Sequence, residues 1–207
     1  MAGFEIEDDY LSRGFRTIAG IDEAGRGALF GPVVAAAVIL PLENMRGNDA
    51  PPWISGVRDS KLLTPARRRS LYKEIIGVAR SVGIGLATHA EIDRINIYWA
   101  SLLAMRRAAE GLKVPPDIVL VDGFDLKDVH YPQKGIPQGD RKSVSIAAAS
   151  IVAKVVRDGM LELLDKVYTG YGLARNKGYG TAEHYRALRE RGPTAFHRTS
   201  FNLKLGS

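Results

Sequence analysis

Ile18-Ala-Gly-Ile-Asp-Glu-Ala-Gly-Arg-Gly27, followed by Ala28-Leu-Phe-Gly-Pro-Val-Val-Ala-Ala-Ala-Val-Ile-Leu40, organises this chain. Two adjacent carboxylates, Asp22 and Glu23, stand at the end of a short apolar run. A glycine-flanked arginine, Gly25-Arg26-Gly27, comes next, and Gly31-Pro32 breaks the chain before a second apolar run over 33–40. The pattern reads as strand, charged turn, glycine loop, strand. Burying two neighbouring carboxylates is costly unless a cation neutralises them. Two readings follow: a solvated Asp-Glu turn, the default for a bare pair, or a site for a divalent metal. The glycine loop and the acids found further on favour the metal.

Neighbours on an ideal strand point to opposite faces. Asp22 and Glu23 can therefore serve one site only if the chain turns at Glu23, and Ala24-Gly25-Arg26-Gly27 makes such a turn expected there.

The chain has 207 residues, enough for one domain with a substantial core. The hydrophobic fraction of 45% and the charged fraction of 25% are those of a soluble globular protein. There is no cysteine, which excludes disulfides, thiolate metal sites and cysteine nucleophiles and fits a reducing, cytoplasmic compartment. The acidic N-terminus lacks the apolar segment of a signal peptide, and no apolar run is long enough to span a membrane. A monomer is expected. The net charge is +6, and residues 171–207 supply most of it with seven basic residues against two acids. A basic segment beside an acidic pocket suits a polyanion held near metal; a generically basic surface is the plainer alternative.

Taken in order, residues 1–16 read as a short acidic lead-in of little structure, and 17–21 and 33–40 as the first two strands. Residues 41–52 are a loop. Thr64-Pro65 opens a helix over 65–79, with the threonine as cap. Strands are expected at 82–88 and 117–122, a helix over 95–111, and a loop or hairpin over 123–138. Residues 143–166 form the strongest helical stretch, apolar on nearly every side. A glycine- and tyrosine-rich loop over 168–181 precedes a helix over 182–191. The expected architecture is one α/β domain over 1–207, a mixed β-sheet flanked by helices on both faces, with a helical C-terminal part. The first strands are expected to be antiparallel.

Four acids sit where the chain leaves or enters regular structure: Asp22, Glu23, Asp122 and Asp140. Acids at strand ends of an α/β sheet often converge on one cleft. Several carboxylates and no cysteine favour a hard ion, Mg2+ or Mn2+, over zinc. Two such ions about 4 Å apart can activate water and stabilise a leaving oxygen in phosphodiester cleavage. Asp59-Ser60-Lys61 alone is a surface turn by default. Lys177-Gly-Tyr-Gly-Thr181 offers a cation and an aromatic face for a sugar or base, or else is an ordinary glycine turn around a packed tyrosine.

Together these pieces resemble ribonuclease HII. The residues that carry the likeness are Asp22-Glu-Ala-Gly-Arg-Gly27, Gly31-Pro-Val-Val34, Asp59-Ser-Lys61, Val121-Asp-Gly123, Gly139-Asp140, Ala148-Ala-Ser-Ile-Val-Ala-Lys-Val-Val-Arg-Asp158, Lys177-Gly-Tyr-Gly-Thr181 and His197-Arg-Thr-Ser-Phe201. They run in the family's order across nearly the whole chain. The resemblance implies a ribonuclease H-like fold and cleavage of RNA in RNA–DNA hybrids. It also implies incision on the 5′ side of single ribonucleotides in duplex DNA, leaving 3′-hydroxyl and 5′-phosphate ends. By the same match Asp22, Glu23, Asp122 and Asp140 hold two metal ions. Gly25, Arg26 and Gly27 with Tyr179 sense the ribose 2′-hydroxyl, Lys61 meets phosphate, and the basic segment over 168–207 lines the substrate groove. Gln138, Asn176, Ala28 and Phe30 depart from the usual pattern without removing a proposed ligand. Asp158 is either a fifth acid or a salt-bridge partner of Arg157. Two alternatives remain: ribonuclease HIII, which normally carries an extra N-terminal domain, and a non-catalytic nucleic-acid-binding module. The four acids speak against the second, because they would repel phosphate.

Overall fold

A computed structural model describes residues 2–47, 50–127 and 129–205. The ends of the lead-in and of the basic segment (1 and 206–207) and part of the loop over 41–52 (48–49) lie outside the described residues. The strands are β1 (Ile18–Ala24), β2 (Val33–Ile39), β3 (Ser81–Ala87), β4 (Ile118–Asp122) and β5 (Gln133–Ile136). The helices are α1 (Glu5–Ser12), α2 (Pro65–Val78), α3 (His89–Glu110), α4 (Val144–Asp165), α5 (Leu173–Asn176) and α6 (Ala182–Arg191).

The sheet order is β3-β2-β1-β4-β5. β1 pairs antiparallel with β2, and β2 with β3, as the sequence led one to expect. β1 pairs parallel with β4 in the register Ile21↔Val121, which sets the ends carrying Asp22 and Asp122 side by side. The stretch after β4 is not a hairpin: β5 returns parallel to β4, with Asp122 opposite Ile136.

Alternation along β1 divides the core. Ile18 and Ala24 face α4 and α2, together with Leu120, Ile146 and Ile151. Ala19 and Ile21 face α3, together with Ala104, Met105 and Val121. The central strand is thus buried on both sides, which is why β1 and β2 read as continuous apolar runs. A third cluster around Phe30, Leu161, Tyr171, Leu173 and Leu188 packs the C-terminal elements against the loop before β2.

Local signals explain the helix starts. Thr64 accepts a hydrogen bond from the Arg67 N–H, and Thr88 and Glu91 form a reciprocal capping box. The α3 helix is kinked at Asn96, whose φ of 64° is non-helical. The Asn96 side chain accepts from the Tyr98 and Trp99 N–H groups and so caps the second part; the helix expected over 95–111 is preceded by a first part that begins at His89.

The lead-in is a correction. Residues 5–12 form α1, with Glu5, Glu7 and Asp8 in its first turn, where the helix dipole favours acids. Phe4, Ile6, Tyr10, Leu11 and Phe15 pack against the α4 side of the core. The acidity that looked like a solvated tail belongs to the exposed side of an amphipathic helix, apart from Glu7, which is fully buried.

Gly20 shows how tightly β1 and α4 are pressed together: a Cβ there would land on the backbone between Ser145 and Ile146. Gly20→Ala is expected to cost about 1–3 kcal/mol, the usual price of overpacking a core, read as a lowered denaturant midpoint.

Candidate active site

The four acids come to one end of the sheet. Asp22, 3% exposed, lies on β1, and its Oδ1 accepts the Glu23 N–H at 2.6 Å. Asp122 ends the adjacent β4, and its Oδ1 accepts the Gly139 N–H at 2.6 Å, tying β4 to the turn that carries Asp140. Asp140, 4% exposed, sits in a short 3-10 turn over Gly139–Arg141 just before α4. Lys61 reaches in from the opposite wall, its Nζ 3.8 Å from Asp140 Oδ2.

The chain does not turn at Glu23 as the sequence suggested. β1 keeps its register with β2 through Ala24, and the turn comes at Gly25, with φ 97°. Glu23 nevertheless stays beside Asp22 and Asp122, close enough for the carboxyls to act on one another. It is drawn in by Arg26, whose NH1 lies 3.4 Å from Oε1, while Glu23 Oε2 is buried with no partner among the described residues.

Electrostatics mark the cluster as short of positive charge. Burial, then the charges of Glu23 and Asp122, raise the Asp22 carboxyl well above its ordinary value. Burial raises Glu23, with Arg26 opposing and Asp122 adding to the shift. Burial, then Asp122 and Asp59, raise Asp140. Burial works against the Lys61 ammonium, yet Asp22, Asp59, Asp140 and Asp122 together hold it above the ordinary lysine value. Three carboxylates and a lysine so perturbed in one place are the pattern expected of a functional site.

Beside the acids is a cleft of about 460 Å3 lined by Glu23, Gly25, Arg26, Gly27, Lys61 and Tyr179. All five residues singled out for substrate thus share one cleft with one of the acids. The loop and the tyrosine are coupled through the backbone: Ala28 bridges to Tyr179, and the Leu29 N–H donates to the Gly178 carbonyl at 2.7 Å. His184 Nδ1 lies 3.0 Å from the Tyr179 carbonyl, and its Nε2 3.1 Å from His197 Nε2. Burial, then His184, push His197 down to about 4, so it is neutral at physiological pH.

The roles of two buried arginines, Arg157 and Arg198, escaped the reading of the sequence. Arg157 donates to the carbonyls of Pro32, Lys177 and Phe30, and Arg198 to those of Gly31 and Arg26. Among the described residues neither forms an ion pair with a carboxylate; both fasten the glycine loop to the C-terminal segment. The signal was present in α4, where Arg157 interrupts an apolar surface. Asp158 pairs with Lys154 at 2.7 Å and Arg68 at 3.5 Å rather than with Arg157, which makes it a brace between α4 and α2. Asp59 is buried as well: its Oδ1 accepts the Lys61 N–H at 2.9 Å and its Oδ2 faces Arg141 Nε at 3.4 Å. The Asp59-Ser-Lys61 turn is therefore built, not a solvated surface turn. In the basic segment, Lys177 is paired with Glu162 and Arg175 with Glu183.

The family model for ribonuclease HII matches residues 19–204. The chain belongs to the ribonuclease HII family. The ribonuclease HII of Geobacter sulfurreducens is 54% identical over 200 residues, covering 97% of this chain and 88% of that protein. The family's members are ribonuclease H enzymes, and this chain is one. The crystal structure of ribonuclease H2 from Pyrococcus horikoshii superposes with a TM-score of 0.74 at 25% identity, covering 90% of this chain and 94% of that one. Bst-RNase HIII in complex with Mn2+ shares the fold with a TM-score of 0.66 at 21% identity, covering 92% and 68%. The expected ribonuclease H-like fold is thereby borne out, and the ribonuclease HIII alternative gives way to the ribonuclease HII match.

Whether the acids suit divalent ions follows from their own chemistry. The donors are all carboxylate oxygens, the hard set that Mg2+ and Mn2+ prefer. Three of the four acids are held above their ordinary pKa, and Glu23 Oε2 lacks any partner among the described residues, so added positive charge is what the cluster needs. Among the described residues no three acids stand close enough together, as placed, to hold a metal ion. The residues fit the ions in kind, all of them hard carboxylate donors. Among the described residues no helix is long and apolar enough to cross a membrane.

Proposed function

We propose that this chain is an endonuclease that degrades the RNA strand of RNA–DNA hybrids and incises on the 5′ side of single ribonucleotides embedded in duplex DNA. The products carry 3′-hydroxyl and 5′-phosphate ends. The observation that carries this reading is the shared cleft, in which a glycine loop and a tyrosine, joined through their backbones, stand beside the acidic cluster.

Asp22, Glu23, Asp122 and Asp140 would hold two divalent ions, Mg2+ or Mn2+, whose chemistry there would be Lewis-acid assistance to phosphodiester hydrolysis. The chain's own residues do the selecting. Gly25 and Gly27 carry no Cβ, so the loop backbone can come close to the ribose 2′-hydroxyl, the one group that separates RNA from DNA at a single position. Arg26 neutralises Glu23 and faces the same cleft. Tyr179 offers its ring to the sugar at the junction, with Lys154 Nζ and the Arg157 guanidinium 5.4 and 5.5 Å from its centroid. Lys61, whose side chain is 74% exposed, is free to meet a phosphate while remaining near Asp140. The basic residues over 168–207 favour a polyanion by charge alone.

The test is a labelled DNA duplex with one embedded ribonucleotide, incubated with Mg2+, Mn2+ or EDTA beside an all-DNA control. Wild type is expected to cut once, 5′ of the ribonucleotide, only with metal, and Asp122→Asn to lose the cut. Cleavage of continuous hybrid alone would sink the junction roles of Arg26 and Tyr179. Binding without any cleavage would overturn the reading of incision at single ribonucleotides.

A further inference from the structure

The turn carrying Asp140 is held from both sides. On one side the Gly139 N–H donates to Asp122. On the other stands α1, which lies before the stretch matched by the family model. The Gly3 N–H donates to the Lys142 carbonyl at 3.3 Å, and the Val144 N–H donates to the Gly3 carbonyl at 3.0 Å. One turn further along, Glu7 is 0% exposed. Its Oε1 accepts from the Ser143 hydroxyl at 2.5 Å and from the Ser145 N–H at 2.9 Å.

These contacts fall where α4 begins. Ser143 is the N-cap of that helix, and Ser145 supplies one of the N–H groups that have no partner within a helix's first turn. The Ser143 N–H donates back to the Gly139 carbonyl at 2.8 Å, so the Asp140 turn and the start of α4 are one continuous piece. A surface helix gains nothing by burying a carboxylate for its own sake. Here the carboxylate fixes a short stretch of backbone three residues from a candidate ligand.

We propose that Glu7 is a positioning residue for Asp140, with α1 acting as a strap whose buried carboxylate sets the turn that presents Asp140 to divalent metal. The inference rests on reading Asp140 as a ligand. Partners that orient a ligand typically account for about 10–100-fold in metal affinity or activity. Because only Oε1 is used, Glu7→Gln keeps the acceptor and is the conservative variant. Glu7→Asp withdraws it by one methylene, and Glu7→Ala removes it.

The experiment measures Mn2+ binding by calorimetry and the Mn2+ dependence of cleavage for wild type, Glu7→Gln, Glu7→Asp, Glu7→Ala and Asp140→Asn, with thermal unfolding of each. Glu7→Ala and Glu7→Asp are expected to weaken Mn2+ binding about tenfold and raise the Mn2+ needed for half-maximal rate to match. The KM for the duplex should stay within about twofold, and Glu7→Gln should restore most of the loss. If Glu7→Ala does not fold, Glu7→Asp decides. A variant that melts earlier but binds Mn2+ like wild type, while Asp140→Asn does not, overturns the positioning role and leaves Glu7 as a brace. An Asp140→Asn protein with unchanged Mn2+ binding overturns the ligand reading of Asp140, and the role of Glu7 with it.

Discussion

Asp22→Asn is expected to abolish cleavage and at the same time to stabilise the metal-free protein. The loss should be about 10^3-fold or more in rate, the scale of removing a group that stabilises charge in the transition state. The gain has a separate cause. Burial, reinforced by Glu23 and Asp122, holds the Asp22 carboxyl well above its ordinary value of 3.8. A carboxyl raised in the folded state contributes its stability below the unfolded value and loses it as pH climbs through the folded one. Above that ordinary value wild type therefore bears the cost of a buried ionisable group that asparagine, of the same shape, does not carry. In melts without metal Asp22→Asn should unfold several degrees higher, each kcal/mol being worth about 2–4 °C at this size. The difference should shrink as pH falls toward 3.8. Added Mn2+ should raise the wild-type midpoint by mass action and the variant's much less. A variant that melts lower than wild type at neutral pH would refute this account.

The architecture was readable where periodicity and breakers agreed. The apolar runs of β1 and β2, the Thr64-Pro65 start of α2 and the nearly all-round apolar surface of α4 each have one structural solution. What escaped is non-local. Nothing near Gln133 announces β5, a short strand with a mixed burial pattern that exists because β4 offers it an edge. The α1 helix was hidden because its acids looked like a solvated tail, and only the Ser143 and Ser145 donors explain the burial of Glu7.

The candidate site was legible as chemistry more than as geometry. Asp22, Asp122 and Asp140 were marked by their places at element ends, and the structure draws them together. The glycine loop and Tyr179 were marked by weak local signals that the family resemblance joined, and they share one cleft. The expected turn at Glu23 was wrong because Ala24 still pairs with Val34, a register fixed by the partner strand rather than by the local sequence. The roles of Arg157 and Arg198 were missed for a related reason: their partners are backbone carbonyls, which leave no trace in side-chain patterns.

Those two arginines give the glycine loop its sharpest test. Gly25→Ala is expected to destabilise the fold by about 3 kcal/mol and to cut incision at a single ribonucleotide by about 10^2-fold, with hybrid cleavage falling less. Gly25 has φ 97°, a conformation that costs any side chain, and a Cβ there would collide with the Arg157 guanidinium. Arg157 cannot swing aside, because its three carbonyl partners on Phe30, Pro32 and Lys177 belong to the two segments it joins. Relief must therefore shift the loop relative to Tyr179, and with it the pocket for the 2′-hydroxyl. Gly27→Ala separates the two effects. Nothing lies within 4 Å of its Cβ position and its φ is not in the left-handed region, so the fold should be unchanged to within about 0.5 kcal/mol. If the loop backbone meets the ribose, Gly27→Ala still loses junction incision while melting like wild type. If Gly27→Ala incises like wild type, the ribose does not approach the loop at Gly27, and the junction must be read by Arg26 and Tyr179 alone.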